Sequence, residues 1–374
     1  MPGRDDRKKL IAELEKLRGS RLLTYITGDR MPVPAQIGDD AVRPLYEQLR
    51  GLGQTEKLDL FIYSRGGAID VPWRMVTALR GAATEWTALI PFRANSAATL
   101  LALGAEKIVM GRNGELGPID PSLQVSKGVE QTQVSVEDVM AYVKFAKERG
   151  GLSDQAALAA SLGKLADRVD PLVLGNIYRT YSHIRDVARR VLITRKRVDS
   201  AQIVSNIVET LAERVYAHGH AIGLLDAKEL GLPAEAADAA QDALMWQLLG
   251  EYEKELKLLE PLDPVTALAN SDKYSEPATI ALIESTGSLH RHSGELEVRA
   301  KRQLPPSLNV AINVNADVRT LPTNQQQQVQ QLMAQLQPLI LAQANDAVRQ
   351  ALQAQAPLVG VEVGFRNGRW SREP

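Results

Sequence analysis

Apolar positions along the first part of the chain switch between two periods. Across residues 5–17 they recur at helical spacing among charged residues, which predicts a short N-terminal helix. The run RLLTYIT at 21–27 predicts a buried strand, and the same signal returns at 58–63 (LDLFIY), 87–92 (TALIPF) and 107–110. Between these runs, residues 71–82 and the small-residue stretch 96–103 read as helices. Strand and helix in alternation predict a parallel sheet with right-handed crossovers, in which active sites collect at the strand ends.

Farther on the pattern turns helical, from 135 to about 212. Ser135 followed three positions later by Asp138 is an acidic variant of the capping box. A second helical stretch, 176–192, carries Arg179, Arg185, Arg189 and Arg190, with Arg195, Lys196 and Arg197 beyond it. These charges read as a solvated or subunit-contacting face, with an anionic partner as the alternative. After about residue 235 a charged helix, GEYEKELKLLEPLDP, leads to strand-like segments at 278–283 and 295–300. Val329, Leu332, Leu336 and Ile340 give the Gln-rich stretch 324–355 the look of an amphipathic helix bent at Pro338. The expected organisation is an N-terminal helix (1–20), a core domain (21–235) and a C-terminal domain of unknown role (236–374).

Composition narrows the function classes. Apolar residues make up 44% of the 374, enough to fill a core. Lys plus Arg (44) balance Asp plus Glu (45), so charge points neither to nucleic acid nor to an acidic membrane surface. The absence of cysteine excludes disulfides, thiolate metal sites and a cysteine nucleophile. The charged start, MPGRDDRKKLIAEL, lacks the apolar centre of a secretion signal, and no apolar run has bilayer-spanning length; a cytoplasmic protein without a membrane span is expected.

Two short segments carry candidate chemistry. The first, YSRGG at 63–67, ends a buried strand, and its paired glycines let backbone N–H groups turn into a cleft, as an oxyanion requires. The second, RANSAAT at 93–99, joins a strand to a helix whose first turn is built of small residues. Ser96 there is either an exposed nucleophile or, with Asn95, a plain helix cap.

The stretches LDLFIYSRGGAID and PFRANSAATLLALGAEKIVMGRNGELGPIDPSL resemble the Clp protease/crotonase superfamily, and within it the serine dehydrogenase proteinase group of signal-peptide-peptidase-like enzymes. The resemblance covers about residues 22–235. It implies an α/β fold with a ClpP/crotonase-like core of repeated ββα units, a helical extension and a separate smaller α+β C-terminal domain. It also implies a serine peptidase whose nucleophile is Ser96, with an oxyanion hole from the amides of Gly66 or Gly67 and of Ala97. A homo-oligomer acting on peptide or protein substrates without a cofactor follows from the same resemblance, with a regulatory partner at the C-terminal domain as a further expectation.

The general base is less legible. Asp120 stands near where Clp proteases carry their histidine, and His218 and His220 stand where the family's aspartate is expected. One reading is an exchanged triad, with His218 or His220 as base and Asp120 orienting it. Another is a Ser/Lys dyad using a lysine such as Lys127, Lys144 or Lys147. A third has no base, leaving a silent or partner-regulated scaffold, and an acyl-CoA or thioester enzyme of the same fold is a further alternative. His218-Gly-His220 lacks a third metal ligand nearby, so no metal is expected. His290 and His292 read as a solvent-exposed pair on one strand face, and His183 as a local packing or capping residue.

Overall fold

The computed structural model describes residues 3–119, 122–127, 130–151, 154–167, 169–197, 200–214, 221–269, 271–303 and 322–373. Two compact units make it up. The first comprises Met1–Pro261, Ala278–Gly294 and Asn367–Pro374, and the second Leu262–Pro277 and Glu295–Arg366. This partition differs from a break after residue 235, because stretches from the last third of the chain belong to the first unit.

The elements follow the alternating pattern. Helix α1 (Arg4–Arg18) precedes β1 (Arg21–Thr27), α2 (Val42–Leu52), β2 (Thr55–Tyr63), α3 (Val71–Ala82), β3 (Ala83–Ile90), β4 (Arg93–Ala94), α4 (Ala97–Leu103), β5 (Lys107–Met110) and β6 (Glu115–Leu116). A hairpin of β7 (Ser122–Lys127) and β8 (Glu130–Ser135) introduces the helical extension, α5 (Val136–Glu148), α6 (Gln155–Ala166), α7 (Pro171–Leu192) and α8 (Ala201–Glu209). Then come α9 (Leu224–Glu229), β9 (Ala234–Ala236), α10 (Ala239–Leu256), α11 (Pro264–Leu268), β10 (Lys273–Glu284), β11 (Leu289–Arg302), α12 (Thr323–Gln355) and β12 (Leu358–Glu373). Among the described residues, no helix is long and apolar enough to cross a membrane.

The main sheet has the order β12-β11-β10-β1-β2-β3-β5-β9. Strands β1, β2, β3, β5 and β9 are parallel neighbours, and β10 lies antiparallel to β1. Alternate residues of each parallel strand enter opposite cores. Leu23, Tyr25, Leu60, Ile62, Ala88, Ile90, Ile108 and Met110 face one layer, which includes residues of α2, α3, α4 and α7. Leu22, Ile26, Phe61, Tyr63, Leu89 and Val109 face the other, with α1 and α10. Burial on both faces is why these strands read as continuous apolar runs. Strand β3 stops at Ile90 rather than at residue 92, since Pro91 has no amide to continue the ladder.

A second, small sheet gives the ββα units their second strand. Strand β4 pairs with β6 in parallel, and single bridges connect Ser64 to Ala94 and Leu116 to Ile222. These pairings gather the connections that leave the ends of β2, β3 and β5, where the candidate residues lie.

Beneath the sheet, α1 is fastened by a buried ion pair. Arg7 Nε donates to Glu284 at 2.7 Å, and the same carboxylate accepts Tyr252 Oη at 3.0 Å. Burial, with Glu284 beside it, pushes the Tyr252 phenol well up. The expected exposure of the His290/His292 pair is corrected in part by the fold. His290 is only 3% exposed: Gln48 on α2 donates to its Nδ1 at 3.1 Å, and its Nε2 meets Glu47 at 3.1 Å. His292 is stacked on Trp370, with ring centroids 5.0 Å apart. Strand β12, which supplies that tryptophan, mixes glycine and charge and gave no strand signal.

In the second unit, α12 contains Pro338, and Glu297 gathers Arg299, Lys273 and Arg366 at 2.5–2.7 Å. The bonds from Arg299 and Lys273 hold its carboxyl down at about 2.

Candidate active site

Strand β2 ends in a tightly tied turn. Buried Ser64 accepts hydrogen bonds from Thr27 Oγ1 at 2.7 Å and from the Gly66 amide at 3.0 Å. The Ile37 amide donates to Gly66 O at 2.8 Å, and the Ala68 amide to Ile37 O at 2.9 Å, so residues 66–68 run beside Ile37. Gly66 has φ 104° and Gly67 φ 155°, a backbone that side chains resist. A Cβ on Gly66 would lie 2.7 Å from both Asn95 O and Ser96 Cβ, and one on Gly67 would lie 2.3 Å from Ile37 O. Glycine is required twice here, for conformation and for contact.

That contact brings the two motifs together. Ser96 sits at the N-cap of α4 with φ 51° and ψ −115°, an unusual backbone for a residue with a side chain, and its hydroxyl makes no capping hydrogen bond. The plain-cap reading of Ser96 is therefore overturned. Its support lies beneath: fully buried Thr99 accepts the Gly117 amide at 3.1 Å, with Ala94 O and Gly117 O within 2.8 Å as acceptors for its hydroxyl. Gly117 packs so closely on Asn95 that a Cβ there would be 2.9 Å from Asn95 Cβ. The Gly66 N–H is engaged by Ser64, whereas the Gly67 and Ala97 amides have no acceptor among the described residues. Among the described residues these two donors are unengaged, one following Ser96 directly and the other following Gly66, which lies against it.

A charged cluster borders the same turn. Asp29 accepts Tyr63 Oη at 2.9 Å, Arg65 Nε at 2.6 Å and Arg93 Nη1 at 3.3 Å, while Arg93 also meets Glu115 at 3.3 Å. Burial and the neighbouring Asp29 carboxylate push the Tyr63 phenol up. Sequence reading missed Asp29, for which only its position just past a strand end gave a hint.

Among the described residues the base candidates are not brought together. Asp120, His218 and His220 lie outside the described residues, as does the side chain of Lys127, and Lys144 and Lys147 are exposed on α5. His183 is more than a local packing residue. Its Nε2 is hydrogen-bonded to Asp70, the residue just before α3 and a few positions past Gly67.

Comparison with known proteins gives the family. Residues 4–279 match the family model described as ClpP-like SDH-type serine proteinase. The uncharacterized protein MJ0137 of Methanocaldococcus jannaschii is 26% identical over 241 residues, covering 61% of this chain and 73% of that protein. A second uncharacterized protein of the same organism, MJ1495, is 28% identical over 123 residues, covering 31% of this chain and 42% of its own length. A mutant of the 1510-N membrane-bound stomatin-specific protease aligns over 31% of this chain and 60% of its own, at 18% identity and a TM-score of 0.23, an overlap too slight to carry an argument. With its α/β sheet, its glycine turn against Ser96 and a family match over most of its length, the chain belongs to the ClpP-like SDH-type serine proteinases.

Proposed function

We propose that the protein is a serine peptidase in which Ser96 forms an acyl-enzyme with a peptide carbonyl. The observation that carries this reading is the Ser96 backbone at φ 51°, pressed against Gly66, with a hydroxyl spared from capping. Attack by Ser96 Oγ turns the carbonyl oxygen into an oxyanion, which the Gly67 and Ala97 amides stabilise; Gly66, whose own amide is spent on Ser64, shapes the hole. Collapse of that intermediate breaks the C–N bond and releases the amine, which takes up the proton that Ser96 gave to the base; water then hydrolyses the acyl-enzyme ester to a carboxylic acid and regenerates Ser96.

Ser96 needs a base to take its proton. His218 or His220 oriented by Asp120 is one assignment, and Lys127, Lys144 or Lys147 in a dyad is the other. The homo-oligomer belongs to the same proposal and rests on family resemblance; a regulatory partner at the C-terminal domain and a cytoplasmic location are proposed beside it.

A fluorophosphonate probe tests the nucleophile. Wild-type protein is expected to be labelled stoichiometrically, and Ser96→Ala to lose the label while keeping its unfolding midpoint. Wild-type protein that stays unlabelled in every oligomeric state would instead support a silent scaffold.

A further inference from the structure

We infer that Asp70 and His183 form one wall of a substrate subsite beside Ser96, which selects a cationic side chain next to the scissile bond. The inference rests on the peptidase reading and adds a substrate class to it.

Helix geometry places the pair. Helices α3, α4 and α7 pack together: Arg195 Nε donates to Leu103 O at 2.8 Å, Val76 of α3 lies against Gly104 at the end of α4, Arg80 Nη2 reaches back to Gly104 O at 2.6 Å, and Glu106 takes both Arg80 and the Lys196 amide. From the level of Gly104 and Val76, at about 1.5 Å per residue, α4 runs back about 12 Å to Ser96 and α3 about 9 Å to Asp70, which holds His183. Asp70 and the His183 bonded to it therefore stand at about the level of the nucleophile, on the side where the strands end. The turn that carries Gly66 against Ser96 leads directly into Asp70.

The chemistry of the wall is anionic. A carboxylate can only accept, so His183 Nε2 carries the proton of the shared bond, and this bond fixes one oxygen of Asp70. The other oxygen has no partner among the described residues, and the side chain is 73% exposed. Arg74, one turn along α3, is committed to Asp39. The fixed, half-used carboxylate suits a lysine or arginine ammonium or guanidinium better than an apolar or acidic group.

Binding to Ser96→Ala isolates the subsite from catalysis. Fluorescence anisotropy is measured with capped, labelled pentapeptides Ala-Ala-Xaa-Ala-Ala, where Xaa is lysine, norleucine or glutamate. The lysine peptide is expected to bind about fivefold tighter than the norleucine peptide, the range of an exposed ion pair, and the glutamate peptide weakest. Asp70→Asn in the same background should erase the lysine preference, and Asp70→Glu should restore part of it. Equal affinities, no binding by any peptide, or a preference that survives Asp70→Asn would overturn the subsite. Fluorophosphonate labelling without a lysine preference refutes the subsite alone, and the preference without labelling refutes the hydrolase alone.

Discussion

Gly66→Ala is the sharpest test of the contact between the two motifs. The added Cβ would lie 2.7 Å from Asn95 O, 2.7 Å from Ser96 Cβ and 3.1 Å from Ala97 N, and all three belong to the fixed backbone at the start of α4 or sit directly on it. Relief requires the glycine turn and the α4 N-terminus to move apart. Residue 66 must also keep φ 104°, which costs a side chain about 1–3 kcal/mol, and the overpacking adds about 1–3 kcal/mol. A loss of about 2–6 kcal/mol is expected in urea unfolding, which most domains of ordinary stability survive. Because the same movement displaces the Gly67 and Ala97 donors, the fluorophosphonate labelling rate should fall about 100-fold at a temperature where the variant is folded. Gly51→Ala on α2 is the control: nothing lies within 4 Å of its Cβ position, and a helical glycine replaced by alanine gains about 0.5–1 kcal/mol. Folded Gly66→Ala labelled at close to the wild-type rate would refute the proposed oxyanion geometry.

Three further outcomes follow from the surroundings. Thr99→Val keeps the shape but removes the buried hydroxyl shared by Ala94 O and Gly117 O and leaves the Gly117 amide only its longer bond to Ala94 O at 3.3 Å, so a loss of about 1–3 kcal/mol is expected in denaturant unfolding, together with slower labelling of Ser96; an unchanged rate would separate Thr99 from the site. Arg7→Met leaves Glu284 buried without its guanidinium, and about 3–5 kcal/mol should be lost, part of which Arg7→Met with Glu284→Gln should recover. Burial lowers the pKa of His290 and His292 in the folded chain, although Glu47 and Asp40 oppose this. The unfolded chain therefore binds protons first, and stability present above about pH 6.5 should drain away as pH falls through the lower folded values. A double variant, His290→Gln with His292→Gln, should flatten that slope; the Glu47 carboxyl, itself held low by Arg43 and His290, acts only in a more acid window.

Much of the fold was written in local pattern. The runs RLLTYIT and LDLFIY became β1 and β2, and residues 71–82 became α3, because strands buried on both faces and an amphipathic helix each leave a periodic record. Strand β12 left none: its partner is a neighbouring strand, and mixed charge with glycine describes an edge as readily as a loop. The two chemical motifs were legible by residue type.

What the sequence determined by itself was which residues were needed: glycines at 66 and 67, a serine at 96 and small residues after it. Tertiary structure decided which atoms were free. Gly66 spends its amide on Ser64, Gly67 and Ala97 have no acceptor among the described residues, Ser96 makes no capping bond, and Asp70 meets His183 across more than a hundred residues. Hydrogen bonds and close contacts between distant segments set these outcomes, and such pairings have no period along a chain.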